Sequence, residues 1–236
     1  MDEAGFALYM KGKRFRPSKI KSYTNRVKRF EKFSREHGVG KSLKDLTTND
    51  LRTNSNKYVE WCEANSVNPY QDLWGVSEYY AFLGLEELFY LCSQVMQMIQ
   101  LKKFKLKDFL TVNQAYAGKL AKIGIETASQ ILEAGKTRKE RDEIATKSGI
   151  PVNEVLKFVK IANLARCPGH KKKRACLYYE AGLDDLDKIA NQNPAKMVGF
   201  IEEFIKRSGF DGSAPTLGEA ACSIENSKRI PRIIEF

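Results

Sequence analysis

Residues 117–131 read AGKLAKIGIETASQI and residues 175–189 read ACLYYEAGLDDLDKI. Laying Gly124 on Gly182 brings Ala117 onto Ala175, Ile125 onto Leu183, Ala128 onto Leu186 and Ile131 onto Ile189. The match is of apolar pattern more than of identity, and a repeated pattern is the mark of one supersecondary unit used twice. Within each copy apolar residues recur at steps of three and four, the spacing of one helix face, and strict alternation is absent. The fold expected is therefore all-α, and from about Leu106 it is a stack of small helical hairpins. Between the copies, Thr137 to Lys147 and Val152 to Leu164 form another helix pair joined by Gly149-Ile150-Pro151, with Asn153 available to cap the second. Beyond them, Asn193-Pro194 places an N-cap and a proline at N1 before a helix buried through Met197, Ile201, Phe204 and Ile205. Thr216 to Asn226 can make one more helix. The apolar end, with Ile230, Ile233, Ile234 and Phe236 around Pro231, is expected to dock on its own domain or on a partner.

Upstream the texture is of longer helices. Ile20, Tyr23, Val27 and Phe30 form one apolar face between Ser18 and His37, and Tyr23 falls on that stripe as core. Turning 100° per residue puts Lys21, Lys28 and Lys32 on the opposite side, with Arg29 beside them. Gly38 and Gly40 mark the end of this helix, Thr47, Thr48 or Asn49 caps the next, and Leu51, Tyr58, Trp61 and Cys62 supply its stripe. Asn68-Pro69 opens another element. Leu85, Leu88, Phe89, Cys92, Val95, Met96 and Ile99 then give the strongest amphipathic pattern of the chain, which reads as core.

The formal charge of +11 is unevenly placed. Residues 11–41 carry twelve Lys/Arg against Glu31 and Glu36, whereas residues 42–101 carry three basic residues against eight acidic ones. A second basic knot gathers Arg166, Lys171, Lys172, Lys173 and Arg174. A cation ladder preceded by the basic arm Lys11 to Arg16 points to a polyanion, because phosphates relieve the self-repulsion of such a cluster. The ordinary alternative is a solvated face.

With 236 residues and 42% hydrophobic content the chain can build one large core or two ordinary ones. No apolar run free of charge is long enough to span a bilayer, and nothing at the start reads as an export signal, so no membrane association and a cytoplasmic place are expected, one at the nucleoid being compatible. Five cysteines at scattered spacings argue against a disulfide framework, and Cys167, His170 and Cys176 lack the paired spacing of a metal site. No metal or cofactor is expected. Nucleotide-binding loops, His-Glu-x-x-His and Gly-x-Ser-x-Gly are absent from the sequence, so no catalytic residues are expected and the chain reads as a non-enzyme.

The stretch LARCPGHKKKRACLYYEAGLDDLDKI resembles a helix-hairpin-helix unit: Gly169 and Ala175 stand at the family's spacing, and Ala181-Gly182-Leu183 matches the turn after its second helix. In that family the hairpin amides and the following helix N-terminus grip a DNA phosphate without reading bases. His170 stands at the apolar position and Lys171 at the second glycine, departures offset by the side-chain charge of Lys171, Lys172, Lys173 and Arg174. In the first copy Thr111 and Asn113 replace both glycines, although Val112 and Ala117 fit. Residues 106–236 as a whole, with Ala134-Gly135-Lys136-Thr137 and the closing IPRII, resemble an uncharacterised bacterial and archaeal family of tandem helix-hairpin-helix proteins. FRPSKIKSYTNRVKRFEKF followed by LKDLTTNDLRTNSNKYVEW resembles the SAM-like core-binding domain of phage integrases and tyrosine recombinases, which clamps the DNA backbone. No Arg, His-x-x-Arg and Tyr catalytic domain follows, so recombination is not implied.

The expectation is an N-terminal helical domain over 1–105 and a tandem hairpin domain over 106–236. The function expected is non-catalytic, mostly sequence-independent nucleic-acid binding through backbone phosphates, with DNA favoured and structured RNA open. The expected contacts are Lys21, Lys28, Arg29, Lys32, Gly169, Lys171, Lys172, Lys173 and Arg174. The alternative is an interaction scaffold or oligomerising adaptor, in which degraded hairpins serve protein partners and acidic 42–101 of one copy meets basic 11–41 of another.

Overall fold

The computed structural model describes residues 1–235. Thirteen α-helices and no strand occur among them, so the protein is all-α. None of these helices is long and apolar enough to cross a membrane. The chain divides into two compact units, Met1–Met96 and Gln97–Phe236.

The first unit holds α1 (Glu3–Gly12), α2 (Pro17–Glu36), α3 (Thr48–Ala64), α4 (Pro69–Phe82) and the start of α5 (Glu86–Leu101). Helix α1 was not expected, because apolar residues run almost unbroken from Ala4 to Met10 and so mark no one face at helical spacing. It forms because the Asp2 side chain accepts from the Gly5 amide at its N-cap and Phe6 and Met10, one turn apart, are fully buried. Asp2 N donates to Tyr79 Oη at 3.0 Å, and Phe6 meets the Tyr79 ring edge-on at 5.4 Å, fixing α1 on α4. Helix α2 buries the expected stripe of Tyr23, Val27 and Phe30, mainly against α4. Thr47 is the cap that α3 uses, in a capping box with Asp50. A buried polar relay closes the α2–α3 turn: Asn54 Nδ2 donates to Ser34 Oγ at 2.8 Å, Ser34 Oγ to Lys41 O at 2.8 Å, and Val39 N to Asn54 Oδ1 at 2.9 Å. Without it the Asn54 amide and the Ser34 hydroxyl would be buried unpaired.

The second unit runs through α6 (Gln114–Lys122), α7 (Ala128–Ala134), α8 (Arg138–Ser148), α9 (Val152–Leu164), α10 (Lys172–Glu180), α11 (Leu186–Ala190), α12 (Pro194–Ser208) and α13 (Leu217–Arg229). The register that lays Gly124 on Gly182 also lays both ends of α6 on those of α10 and the start of α7 on that of α11. The two glycines share a left-handed backbone, φ 83° and 87°. Each is followed by a residue whose amide returns to the preceding helix, Ile125 N to Leu120 O at 3.0 Å and Leu183 N to Tyr178 O at 2.8 Å. Helix α9 is apolar nearly all round, with Val155, Phe158, Val159, Ile161, Ala162 and Leu164 buried, and it packs against α7, α8 and α10. Its N-cap is Pro151, so Asn153, expected as the cap, lies inside the first turn.

The C-terminal segment docks on its own unit through its backbone. Buried Arg166 donates to Pro231 O at 2.9 Å, buried Arg141 to Glu235 O at 2.7 Å, and Glu235 N returns to Lys136 O at 2.9 Å. Ile230 is buried and Ile234 packs against the core, so the terminus serves the fold.

Candidate nucleic-acid interface

The first cationic surface belongs to α2 and the turn before it. Helix α2 starts with Arg16 at the N-cap and Pro17 at N1, has no side-chain cap and carries no acidic residue in its first turn. Pro17 has no amide hydrogen, and Lys19 N and Ile20 N both donate to Arg16 O, at 2.9 and 3.1 Å, so the Ser18 amide and the positive end of the dipole are left uncompensated. Around them Lys11, Arg14, Arg16 and Lys21 have no acidic partner among the described residues. Among them Lys13 pairs with Glu78 at 2.8 Å, and further along the row Lys28 pairs with Glu3 at 2.6 Å and Lys32 with Glu36 at 4.0 Å. Glu3 and Glu78 come from α1 and α4, so turning α2 alone could not show them. Both partners in the Lys28 and Lys32 pairs are exposed, and such pairs contribute about 0–1 kcal/mol, so a phosphate competes with them readily.

Arg29 is held differently. Its Nε and Nη2 each donate to the Asp72 carboxylate at 2.7 Å, and Asp72 is 1% exposed. Tyr58 Oη donates to the same carboxylate, and Arg26 Nε lies 3.9 Å from it. Hydrogen bonding to Asp72 raises the Arg29 pKa, and burial raises that of Tyr58. The helix wheel puts Arg29 beside the lysines, but its guanidinium is the partner of a buried charge and the clamp between α2 and α4. Acidic 42–101 thus meets basic 11–41 within one chain, through Asp72, Glu78 and the Lys41–Asp50 pair at 2.7 Å.

The second cationic surface is the turn from α9 into α10. Gly169 is exposed with φ 87°, and His170 N donates to Cys167 O at 2.9 Å. Lys171 is the N-cap of α10 and offers no side-chain cap, so the α10 amides are open. Lys171 also has no acidic partner among the described residues. Its neighbours do: Lys172 pairs with Asp108 at 2.6 Å, Lys173 with Asp211 at 2.9 Å, and Arg174 with Glu219 at 3.4 Å. Arg166 lies apart from them in the core, bonded to Asn163 Oδ1 at 2.8 Å, and burial brings its pKa down to about 10. Gly169, Lys171, Lys173, Arg174 and the loop at Gly212 and Ser213 line a hollow of about 480 Å³.

Behind this turn sits His170, only 2% exposed. Nδ1 lies 2.9 Å from Leu164 O, which can only accept, so Nδ1 carries the proton and Nε2 accepts from Ser223 Oγ at 2.9 Å. Burial pushes its pKa down to about 4. Gln97 Nε2 donates to Ala165 O at 2.6 Å and His170 O at 2.9 Å, which holds the turn from its other end. A neutral histidine with both nitrogens satisfied thus fills the position where the repeat calls for an apolar side chain.

The equivalent turn of the first copy keeps the frame and changes the end. Phe109 N donates to Leu106 O as Cys167 N does to Leu164 O, at 3.1 and 3.2 Å. Thr111, in the place of Gly169, keeps a negative φ, and Asn113 Oδ1 accepts from Ala115 N at 2.9 Å, closing the start of α6 with its own side chain. Two groups of residues had no signal in the sequence: the carboxylates Glu3, Asp108, Asp211 and Glu219 that meet the expected cations, and the buried Asp72. A family model described as Domain of unknown function (DUF4332) matches residues 110–230. No curated protein and no solved structure matches the chain.

Proposed function

The chain belongs to the DUF4332 family, and from that premise we propose that it is a non-catalytic nucleic-acid-binding protein that contacts backbone phosphates without reading sequence, DNA in preference to RNA. The observation that carries the reading is the concentration of positive charge with no acidic partner among the described residues, on Lys11, Arg14, Arg16 and Lys21, around the start of a 20-residue helix that no side chain caps. Helix dipole and side-chain cations there act with one sign. Lys28 and Lys32 extend the row through exposed pairs that a phosphate can replace. The turn at Gly169 to Lys171 is the second contact, read as the hairpin of a helix-hairpin-helix unit: its left-handed Gly169, buried His170 and open α10 start support that reading. The preference for DNA rests on this resemblance and on that of the first unit to the integrase core-binding domain.

Fluorescence anisotropy with duplex DNA, single-stranded DNA and structured RNA at two salt concentrations tests it. Affinity should fall steeply with salt, and replacing Lys21, Lys28 and Lys32 by Glu should weaken binding to every sequence alike. The slope of log K against log salt should become shallower by about 0.9 for each duplex phosphate no longer neutralised. Salt-insensitive binding, or an unchanged slope in the triple variant, overturns the proposal.

One observation favours a second reading, an interaction scaffold. A groove of about 880 Å³ runs along α1 and α2 over Ala4, Ala7, Phe15 and Ile20, and Leu8 beside it is 71% exposed. Loss of an oligomer on Leu8→Glu, with nucleic-acid binding intact, would favour the scaffold.

A further inference from the structure

The chain has two tryptophans, and they sit in unlike places. The Trp74 ring lies 4.4 Å from that of Tyr23 at a tilt of 37°, Tyr23 being 8% exposed, as part of the packing of α2 on α4. Trp61 instead lines a hollow of about 500 Å³ whose other wall is the lysine row, Lys28 and Lys32, with Phe33 and His37 at its base and end. The indole is rigidly held: it lies near-parallel to Tyr58 at 5.7 Å and 15°, and 5.8 Å from Phe33. Tyr58 is itself fixed by its bond to Asp72. A partly exposed, immobilised aromatic face costs a planar ligand little ordering when it stacks there.

We infer that this hollow receives an unpaired base of single-stranded nucleic acid, stacked on Trp61, with the flanking phosphates on Lys28 and Lys32. The inference rests on the phosphate-binding reading above and adds to it a preference for strands whose bases are free. Lys28 and Lys32 are one helical turn apart, about 6 Å along the axis, and stand on the same wall of the hollow. Glu36 is the acidic group in the lining, 4.0 Å from both Lys32 Nζ and His37 Nε2. It repels a phosphate and accepts from an exocyclic amine, so it favours a base at that end and the backbone at the lysines. A base inside a duplex has no free face to offer, whereas an unpaired one does. An acidic peptide would use the lysines but would gain little from the indole and nothing from Glu36.

The test uses the full chain with Trp74→Phe, which leaves Trp61 as the sole indole. Titration with a thymidine oligonucleotide should quench its emission, and a duplex of equal length should not. Trp61→Ala should weaken single-strand binding about 10-fold or more, the effect of removing one stacking partner, with duplex affinity unchanged. Trp61→Phe, which keeps a ring against Tyr58 and preserves the fold, should restore part of the affinity. Unchanged single-strand affinity in both Trp61 variants, with binding weakened in the Lys21, Lys28, Lys32 reversal, overturns the stacking site and leaves the phosphate reading standing. Quenching by polyglutamate and not by the oligonucleotide overturns it in favour of a peptide. Absence of binding to any nucleic acid overturns both readings.

Discussion

The α2 surface and the α9–α10 turn are both dense in lysine and arginine, yet they hold their charge in opposite ways. At α2 the cations nearest the helix start have no acidic partner among the described residues, and the one cation fully committed, Arg29, is committed to a buried carboxylate. At the α9–α10 turn Lys172, Lys173 and Arg174 each meet a carboxylate from a different part of the second unit, and only Lys171 is left. The difference teaches that a count of charges along the chain measures neither the field nor the availability of a surface. What matters is whether the neighbouring elements bring carboxylates, and whether those carboxylates are wet or dry.

The largest test of this contrast is a pair of arginine truncations. Arg29→Ala leaves Asp72 buried without its guanidinium, at a cost of about 3 kcal/mol or more, whereas Arg174→Ala removes an exposed partner of Glu219 and should cost less than about 1 kcal/mol. Urea denaturation of both variants checks it, and equal costs would break the distinction between wet and dry pairs.

A pH series reads the turn from behind. His170 has a folded pKa near 4 against an ordinary 6.5, so the unfolded chain binds its proton more readily. Its contribution is complete above pH 6.5 and is lost as pH falls towards 4, amounting to about 2 kcal/mol between pH 7 and pH 5. His37, beside α2, has a side chain 58% exposed and offers no such buried neutral ring. The loss of stability between pH 7 and 5 should therefore vanish in His170→Gln. A loss that persists would place the titrating group elsewhere.

Smaller is the effect of Gly169→Ala, which forces a side chain into a left-handed backbone for about 1 kcal/mol. Gly182→Ala supplies its control: the same φ of 87°, and open space around a new Cβ at both positions. The two should destabilise alike in thermal melts, and Gly169→Ala alone should lower nucleic-acid affinity.

Most of the fold was legible because helix spacing and punctuation are local. Asn193 caps where expected, Thr47 is the one of three candidates that caps α3, Asn68 and Thr216 cap helices at the element starts expected there, and the Gly124–Gly182 register carried over to helix ends and turn bonds alike. Helix α1 was hidden because its two anchors, Phe6 and Met10, are defined only by packing against α2 and α4. The cation row could be drawn from α2 alone, but its neutralisation could not. Asp72 lies 43 residues along the chain from Arg29, and nothing in its local sequence marks it as buried. Trp61 was legible as a stripe residue of α3; its second use, lining a hollow beside lysines, depends on how α3 lies along α2.

The smallest effect separates the two turns of the repeat most cleanly. Asn113 closes α6 with its own side chain, and Lys171 leaves α10 open. Lys171→Asn should give the second turn the closure of the first and stabilise the protein by about 0.5 kcal/mol, the gain from a new N-cap. The same side chain would occupy the amides that a phosphate needs, so affinity should fall while stability rises. Lys171→Gln is the necessary comparison, since it removes the charge without supplying a short capping side chain. If Asn and Gln weaken binding equally, Lys171 acts through its charge alone. If Asn weakens it more, the open amides of α10 are themselves part of the contact, and the lack of a cap is what distinguishes the binding copy of the repeat from the closed one.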